Sequence, residues 1–125
     1  MNIEKNNFTC IIGLGFVGLT LAITMANRGF KIFGVEKNKL ILKNLKNKQA
    51  HFYEPGLKQN LKKIITNKKF SFFKKIPKNK NISTYIITVG TPLNAQKKII
   101  TKYIVKTCNE IAAVLKNNDI VILRS

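Results

Sequence analysis

The chain contains few acidic residues, few arginines and very few side chains that could bind a metal. Its 125 residues include five Asp or Glu, two Arg, two Cys, one His and no Trp. Cys10 and Cys108 are far apart and form no C-x-x-C or Cys/His spacing, so we expect no structural metal site. Both cysteines lie in apolar contexts, which predicts two buried free thiols in a reducing cytoplasm.

The scarcity of acids leaves a formal net charge of +18. A basic balance of this size prompts a nucleic-acid or membrane hypothesis. The lysines, however, are scattered along the whole chain, and arginine, the preferred bidentate reader of phosphates and bases, is almost absent. We therefore expect a solvated lysine-rich surface and no nucleic-acid partner. A polyanion-binding module remains the alternative.

Residues 6–27 carry no charge, and this is long enough to raise the question of a membrane span. Three glycines and three threonines interrupt the stretch, and no signal-peptide cleavage motif follows a single apolar run. The segment therefore predicts a buried strand and helix of a cytoplasmic protein without membrane contact.

The same stretch holds the most informative motif of the chain. An apolar run at Phe8–Ile12 leads into Gly13, Gly15 and Gly18 at G-x-G-x-x-G spacing, and Glu36 ends a second apolar run 18 residues further on. In this dinucleotide-binding fingerprint the first glycine allows a tight turn and the second lets a pyrophosphate approach the backbone. The third lets the following helix pack on the sheet.

Strand and helix patterns alternate over the rest of the chain, with no repeat and no linker. Apolar runs predict five strands at Phe8–Ile12, Lys31–Val35, Phe70–Phe73, 84–89 and Ile120–Leu123. Helical patterns cover residues 17–28, 39–47, 54–65 and 101–116, the last with an apolar face of Ile104, Cys108, Ile111, Ala112 and Leu115. The order predicts one α/β domain, a Rossmann-like doubly wound parallel sheet truncated after about five strands.

Glu36 is expected to accept hydrogen bonds from the adenosine ribose of the cofactor. A carboxylate at this position favours NAD over NADP, because a 2′-phosphate would meet a like charge. Lys37 and Lys39 lie close enough in sequence to weaken that preference. The alternative is a merely solvated acid at the end of a strand.

Two further segments are candidates for the site. Gly90, Thr91 and Pro92 follow the fourth predicted strand, at the edge where open α/β sheets bind ligands. We expect Gly90 and Thr91 to contact the cofactor, although a plain turn remains possible. The loop at residues 51–57 contains His51, the one histidine, for which a structural role is a better prediction than general-base catalysis.

Together these segments closely resemble the N-terminal NAD-binding domain of the UDP-glucose / UDP-N-acetylmannosamine / GDP-mannose dehydrogenase family. The resemblance spans nearly the whole chain, and its matching stretches are residues 12–19, 34–36, 51–57, 87–93 and 121–125. It implies that the backbone of Phe16 and Val17 contacts the pyrophosphate, that Glu36 binds the ribose and that Thr91 contacts the cofactor. It also implies that Arg124 and Ser125 begin the family's lysine-or-arginine, serine, threonine segment.

The sequence departs from the family pattern at Phe16, where a tyrosine is usual, and at Glu36, where an aspartate is usual. The resemblance implies a two-step, NAD-dependent oxidation of the C6 alcohol of a nucleotide sugar, by a cytoplasmic homo-oligomer when full length. The family's thioester-forming cysteine lies in a glycine-rich segment well downstream. Neither Cys10 nor Cys108 has that context, so within residues 1–125 we expect an NAD-binding domain with no catalytic residue and no turnover.

A methyltransferase-like domain is a further alternative, because S-adenosylmethionine sites also use glycine turns and an acid at a strand end. The valine-glycine-threonine-proline segment at residues 89–92 disfavours it.

Overall fold

A computed structural model of the chain describes residues 7–124; residues 1–6 and Ser125 lie outside this part. The described residues form one five-stranded sheet in the order β3-β2-β1-β4-β5, with all four neighbouring pairs parallel. The strands are β1 (Phe8–Ile12), β2 (Lys31–Val35), β3 (Phe70–Phe73), β4 (Ile82–Ile87) and β5 (Ile120–Leu123). The helices are α1 (Phe16–Asn27), α2 (Lys39–Lys46), α3 (Leu57–Thr66) and α4 (Lys102–Ala112). The predicted doubly wound, Rossmann-like sheet is confirmed.

Helices cover both faces of the sheet, because parallel strands joined by crossovers must bury their apolar side chains on both sides. On one face α1, α2 and α3 pack against Ile11, Ile32 and Ile86. On the other face Ile111 of α4 packs with Cys10, Ile12, Phe33 and other strand residues. The central strand β1 is almost wholly buried, and this matches its uninterrupted apolar sequence.

The order of the strands in the sheet determines where the site lies. Strand β1 pairs with β2 on one side and with β4 on the other, so the chain leaves the end of β1 where the winding direction reverses. In open α/β sheets ligands bind at this switch point, beyond the carboxyl ends of the strands. The glycine segment after β1 and the residues after β4 therefore meet at one edge.

The predicted bounds of β4 and α3 are wrong. Strand β4 begins at Ile82 and ends at Ile87, each two residues earlier than predicted, and the Thr88 hydroxyl just beyond it donates to the Gly13 carbonyl oxygen. Helix α3 begins at Leu57, and Glu54 and Pro55 form a turn instead of its first residues. Gly56 precedes the helix with φ at +78°, a left-handed conformation that a helical turn from Glu54 does not allow.

The prediction for α4 was partly wrong. The helix ends at Ala112, and the backbone N–H of Lys116 donates to the Asp119 carboxylate instead of continuing the helix. Its buried positions are Thr107 and Ile111, whereas Cys108 is exposed. The prediction of two buried thiols therefore holds for Cys10 alone.

None of the helices formed by residues 7–124 is long and apolar enough to span a membrane.

Candidate functional site

A cleft of about 980 Å³ opens at the carboxyl edge of the sheet, at the switch point between β1 and β4. Seven of the eight predicted cofactor-binding residues line it, namely Gly13, Gly15, Phe16, Val17, Glu36, Gly90 and Thr91. The eighth, Gly18, does not line the cleft. The two sequence segments that were predicted separately thus face one another across a single space.

Gly13 and Gly18 are required by the protein's own packing. Gly13 has φ at +98°, and a Cβ there would lie 2.8 Å from the Thr88 carbonyl oxygen. A Cβ at Gly18 would lie only 1.8 Å from the Gly13 carbonyl oxygen. Gly18 therefore lets the first turn of α1 sit directly on the glycine segment, below the cleft and not within it.

Gly15 and Gly90 are different, because a Cβ at either position would meet no described protein atom within 4 Å. Packing within residues 7–124 gives no reason for glycine at these positions, whereas a ligand against the backbone does. Gly15 is also the N-cap of α1 and, in the described part of the chain, no side chain caps this helix. The first N–H groups of α1, those of Phe16 and Val17, remain available to an anion in the cleft.

Glu36 is held by the backbone around it. Its Oε1 accepts a hydrogen bond from Leu14 N–H, 22 residues away, and its Oε2 accepts from Lys37 and Asn38 N–H, all at 2.9 Å. A carboxylate has about four acceptor positions, so three are filled before any ribose binds. The side chain thus ties the glycine segment to the end of β2, a role that the motif alone did not predict.

Thr88 is a site residue that the sequence analysis missed. Its hydroxyl lies 3.0 Å from the Ile12 carbonyl oxygen and 2.7 Å from that of Gly13, bridging the end of β4 to the glycine turn. A polar residue that directly follows the apolar run of β4 was the available signal. The segment was instead interpreted as a longer strand.

The charges around the cleft favour an anion. Glu36 is the acid that lines it, against Lys37, Lys106 and Arg124. The Lys37 ammonium lies 2.7 Å from the Glu110 carboxylate. This hydrogen bond raises the pKa of Lys37 above its ordinary value. Helix N–H groups and cations together suit a diphosphate, as the open backbone at Gly15 does.

The loop before α3 contacts the glycine segment through aromatic rings. Phe52 lies 5.0 Å from Phe16, and the exposed His51 packs edge-on against Phe52 at 4.9 Å between ring centroids. His51 does not line the cleft. A structural role for the histidine stays a prediction.

Among residues 7–124, no group of three or more His, Cys, Asp or Glu side chains is arranged to hold a metal ion. Arg124 lines the cleft, and its backbone N–H donates to the Ile87 carbonyl oxygen at 2.9 Å. Its predicted partner in the family segment, Ser125, lies outside the described residues.

Comparison with known proteins gives a consistent result. Residues 7–125 match the NAD-binding domain of the UDP-glucose/GDP-mannose dehydrogenase family. A UDP-N-acetyl-D-mannosamine dehydrogenase of Methanococcus vannielii is 30% identical over 98% of this chain and 29% of its own length. One from Campylobacter jejuni is 32% identical over 95% of this chain and 29% of its own.

Solved structures agree with the sequence comparison. A ternary complex of GDP-mannose dehydrogenase from Pseudomonas aeruginosa superposes with a TM-score of 0.86 at 26% identity, over 94% of this chain and 28% of that one. The chain therefore spans less than a third of the length of these relatives. Since the match covers nearly every residue, the chain belongs to the UDP-glucose/GDP-mannose dehydrogenase family, as its NAD-binding domain.

Proposed function

We propose that the cleft binds NAD with its diphosphate at the N-terminus of α1. The observation that carries this proposal is the contrast among the glycines. Gly13 and Gly18 serve the fold, whereas Gly15 lines the cleft and has open space where its Cβ would be. The N–H groups of Phe16 and Val17 would donate to the diphosphate, and Arg124 and Lys106 would add positive charge nearby.

The other predicted residues have roles around that anion site. Glu36 would accept one ribose hydroxyl with its remaining acceptor position, and Gly90 and Thr91 would border the cofactor on the β4 side. Gly13 and Gly18 would act indirectly by shaping the turn. When bound, NAD supplies a hydride acceptor, while this chain's residues bind and orient it.

We further propose that the parent activity is oxidation of the C6 alcohol of a UDP-sugar to a carboxylate, in a cytoplasmic homo-oligomer. The names of the relatives support a nucleotide-sugar substrate. Residues 1–125 would form the NAD-binding domain, with substrate and catalytic groups in further domains. Cys10 is buried and burial raises its pKa to about 12, so it is unsuited to act as a nucleophile. Mixing this chain with NAD and UDP-sugars should produce no NADH absorbance.

Isothermal titration calorimetry tests the site. The chain should bind NAD, and Gly15→Val should weaken binding at least tenfold because its side chain occupies the space of the diphosphate. Ala112→Val adds similar bulk on the exposed side of α4 and should bind NAD like the parent. Equal binding by the parent and Gly15→Val would show that the nucleotide binds elsewhere.

The net charge of +18 supports the competing hypothesis of a polyanion-binding module. That hypothesis predicts tight duplex DNA or RNA binding that falls steeply with salt and is not displaced by NAD. A filter-binding titration at two salt concentrations, with and without NAD, separates the two hypotheses.

A thermal-shift comparison of NAD with S-adenosylmethionine tests the methyltransferase alternative and should show stabilisation by NAD alone.

A further inference from the structure

An ion pair joins the two sides of the cleft beside Glu36. Lys37 follows the end of β2, and its ammonium lies 2.7 Å from the carboxylate of Glu110 on α4, 73 residues further along the chain. Both side chains are partly exposed, at 47% and 31%.

The position of Lys37 bears directly on cofactor choice. The acid at the end of β2 is placed for the adenosine ribose, and a cation beside it can accommodate the 2′-phosphate that distinguishes NADP from NAD. Lysine binds phosphate well as a point charge. Lys37 directly follows Glu36 and lines the cleft, so an unpaired Lys37 would give a 2′-phosphate a nearby cation and weaken the preference for NAD.

Glu110 removes that advantage. Its carboxylate engages the Lys37 ammonium and offsets its charge, while the Glu36 carboxylate is held in place by three backbone N–H groups. A 2′-phosphate would then meet the Glu36 carboxylate, with the adjacent lysine already paired. Lys106, one helical turn before Glu110, also lines the cleft and is the other cation of this cluster.

We propose that Glu110 is a specificity residue: by holding Lys37 in an ion pair, it preserves the preference for NAD over NADP that the Glu36 carboxylate sets. This inference rests on the proposed function, since it requires the adenosine ribose to lie beside Glu36. It assigns to an α4 residue outside the glycine motif a share in the choice between the two nucleotides.

The test compares NAD and NADP affinity by calorimetry in four forms: the parent, Glu110→Gln, Lys37→Met and the double variant. Glu110→Gln keeps the size of the side chain but removes the charge that offsets Lys37, so NADP affinity relative to NAD should rise about tenfold. Lys37→Met breaks the same ion pair without freeing a cation and should show no such rise. The double variant should lose the gain seen with Glu110→Gln.

Asp119→Asn is the matched charge control. Asp119 also pairs with a lysine, Lys116 at 3.3 Å, but it lies at the amino ends of the strands, away from the cleft. Removing its charge should leave the NADP-to-NAD ratio unchanged. An equal gain in this control would reveal a general field effect, and a gain that persists in the double variant would assign the role to Lys106. Either result would overturn the proposal.

The outcomes also separate this inference from the proposed function. If the parent binds NAD and Gly15→Val does not, but the ratio of NADP to NAD affinity is unchanged in Glu110→Gln, the cleft is the NAD site and Glu110 does not set its specificity. If the parent binds neither nucleotide, both proposals fail together. Circular dichroism melting curves establish that each variant is folded.

Discussion

The glycines of the fingerprint differ in whether the fold or the ligand requires them. Gly15→Ala should cost less than about 1 kcal/mol of folding free energy, because its Cβ meets no described atom within 4 Å. Gly18→Ala should cost at least about 3 kcal/mol, because its Cβ would lie 1.8 Å from a backbone carbonyl that cannot easily move. Urea unfolding measures both, and similar losses of stability would contradict the division into folding and binding glycines.

The buried thiol of Cys10 and the buried hydroxyl of Tyr85 predict a loss of stability at alkaline pH. Burial raises the pKa of the Cys10 thiol to about 12 from 9.0, and that of the Tyr85 hydroxyl to about 12 from 10.0. At a pH between the ordinary and the raised pKa of each group, the unfolded chain loses a proton that the folded chain keeps. The free energy of unfolding therefore falls as pH rises.

The expected slope is about 1 kcal/mol per pH unit for each group, beginning near pH 9 for Cys10. Urea unfolding at pH 8, 9 and 10 measures it. Cys10→Ala should lose less stability than the parent between pH 9 and pH 10. An identical pH dependence in the two proteins would contradict the account of Cys10.

At the scale of elements, the Thr88 hydroxyl reinforces the contact between β4 and the glycine turn, beside the backbone hydrogen bond from Thr88 N–H to the Ile12 carbonyl oxygen. Thr88→Val removes the hydrogen bonds to the Ile12 and Gly13 carbonyl oxygens while keeping the shape of the side chain. It should cost about 1 kcal/mol of stability and weaken NAD binding, because the turn loses a restraint.

Thr9→Val on the neighbouring strand β1 is the matched control. The Thr9 hydroxyl is fully buried and, among the described residues, has no hydrogen-bond partner. Its removal should be neutral or stabilising. Thermal melting and NAD calorimetry of the two variants decide, and equal effects would show that the Thr88 hydroxyl has no special role.

The elements also show what the sequence could and could not predict. Strands β1, β2, β3 and β5 were predicted with their observed bounds, because a buried parallel strand is a short apolar run between turn residues. Helix α3 was predicted too early because an acid and a proline are good first-turn residues, and the positive φ of Gly56 leaves no periodic signal.

Helix α4 was misjudged for a tertiary reason. The predicted apolar face included Cys108, Ile111 and Leu115, but packing against the sheet buries Thr107 together with Ile111 and leaves Cys108 exposed. Leu115 lies beyond the end of the helix. The same limit applies to the site. Spacing predicted the glycines, Glu36 and Thr91, whereas the bonds of Thr88 and the Lys37–Glu110 pair join residues more than 70 positions apart.

At the scale of the whole molecule, among residues 7–124, β5 is an edge strand with an incompletely covered face. Val121 and Leu123 lie on the face of the sheet that α4 covers elsewhere, and they are 44% and 58% exposed. An apolar strand with a free edge is prone to pair with another chain. We therefore expect self-association of this chain through β5.

The net charge opposes that association at low salt, so it should increase when salt screens the lysines. Val121→Lys should suppress it without changing NAD affinity. Leu40→Lys places the same charge at an exposed apolar position of α2 and should not suppress the self-association. Sedimentation velocity at two salt concentrations measures both, and equal suppression by the two variants would exclude β5 as the contact.

If backbone N–H groups at the start of α1 hold the diphosphate of NAD, their amide signals should respond to the nucleotide. Titrating NAD into isotopically labelled protein and following the amide ¹H–¹⁵N signals tests this. The largest shifts are expected at Gly15, Phe16 and Val17, with smaller ones at Lys37 and Thr91. Unchanged signals at the first turn of α1, with the shifts confined to lysines away from the cleft, would contradict it.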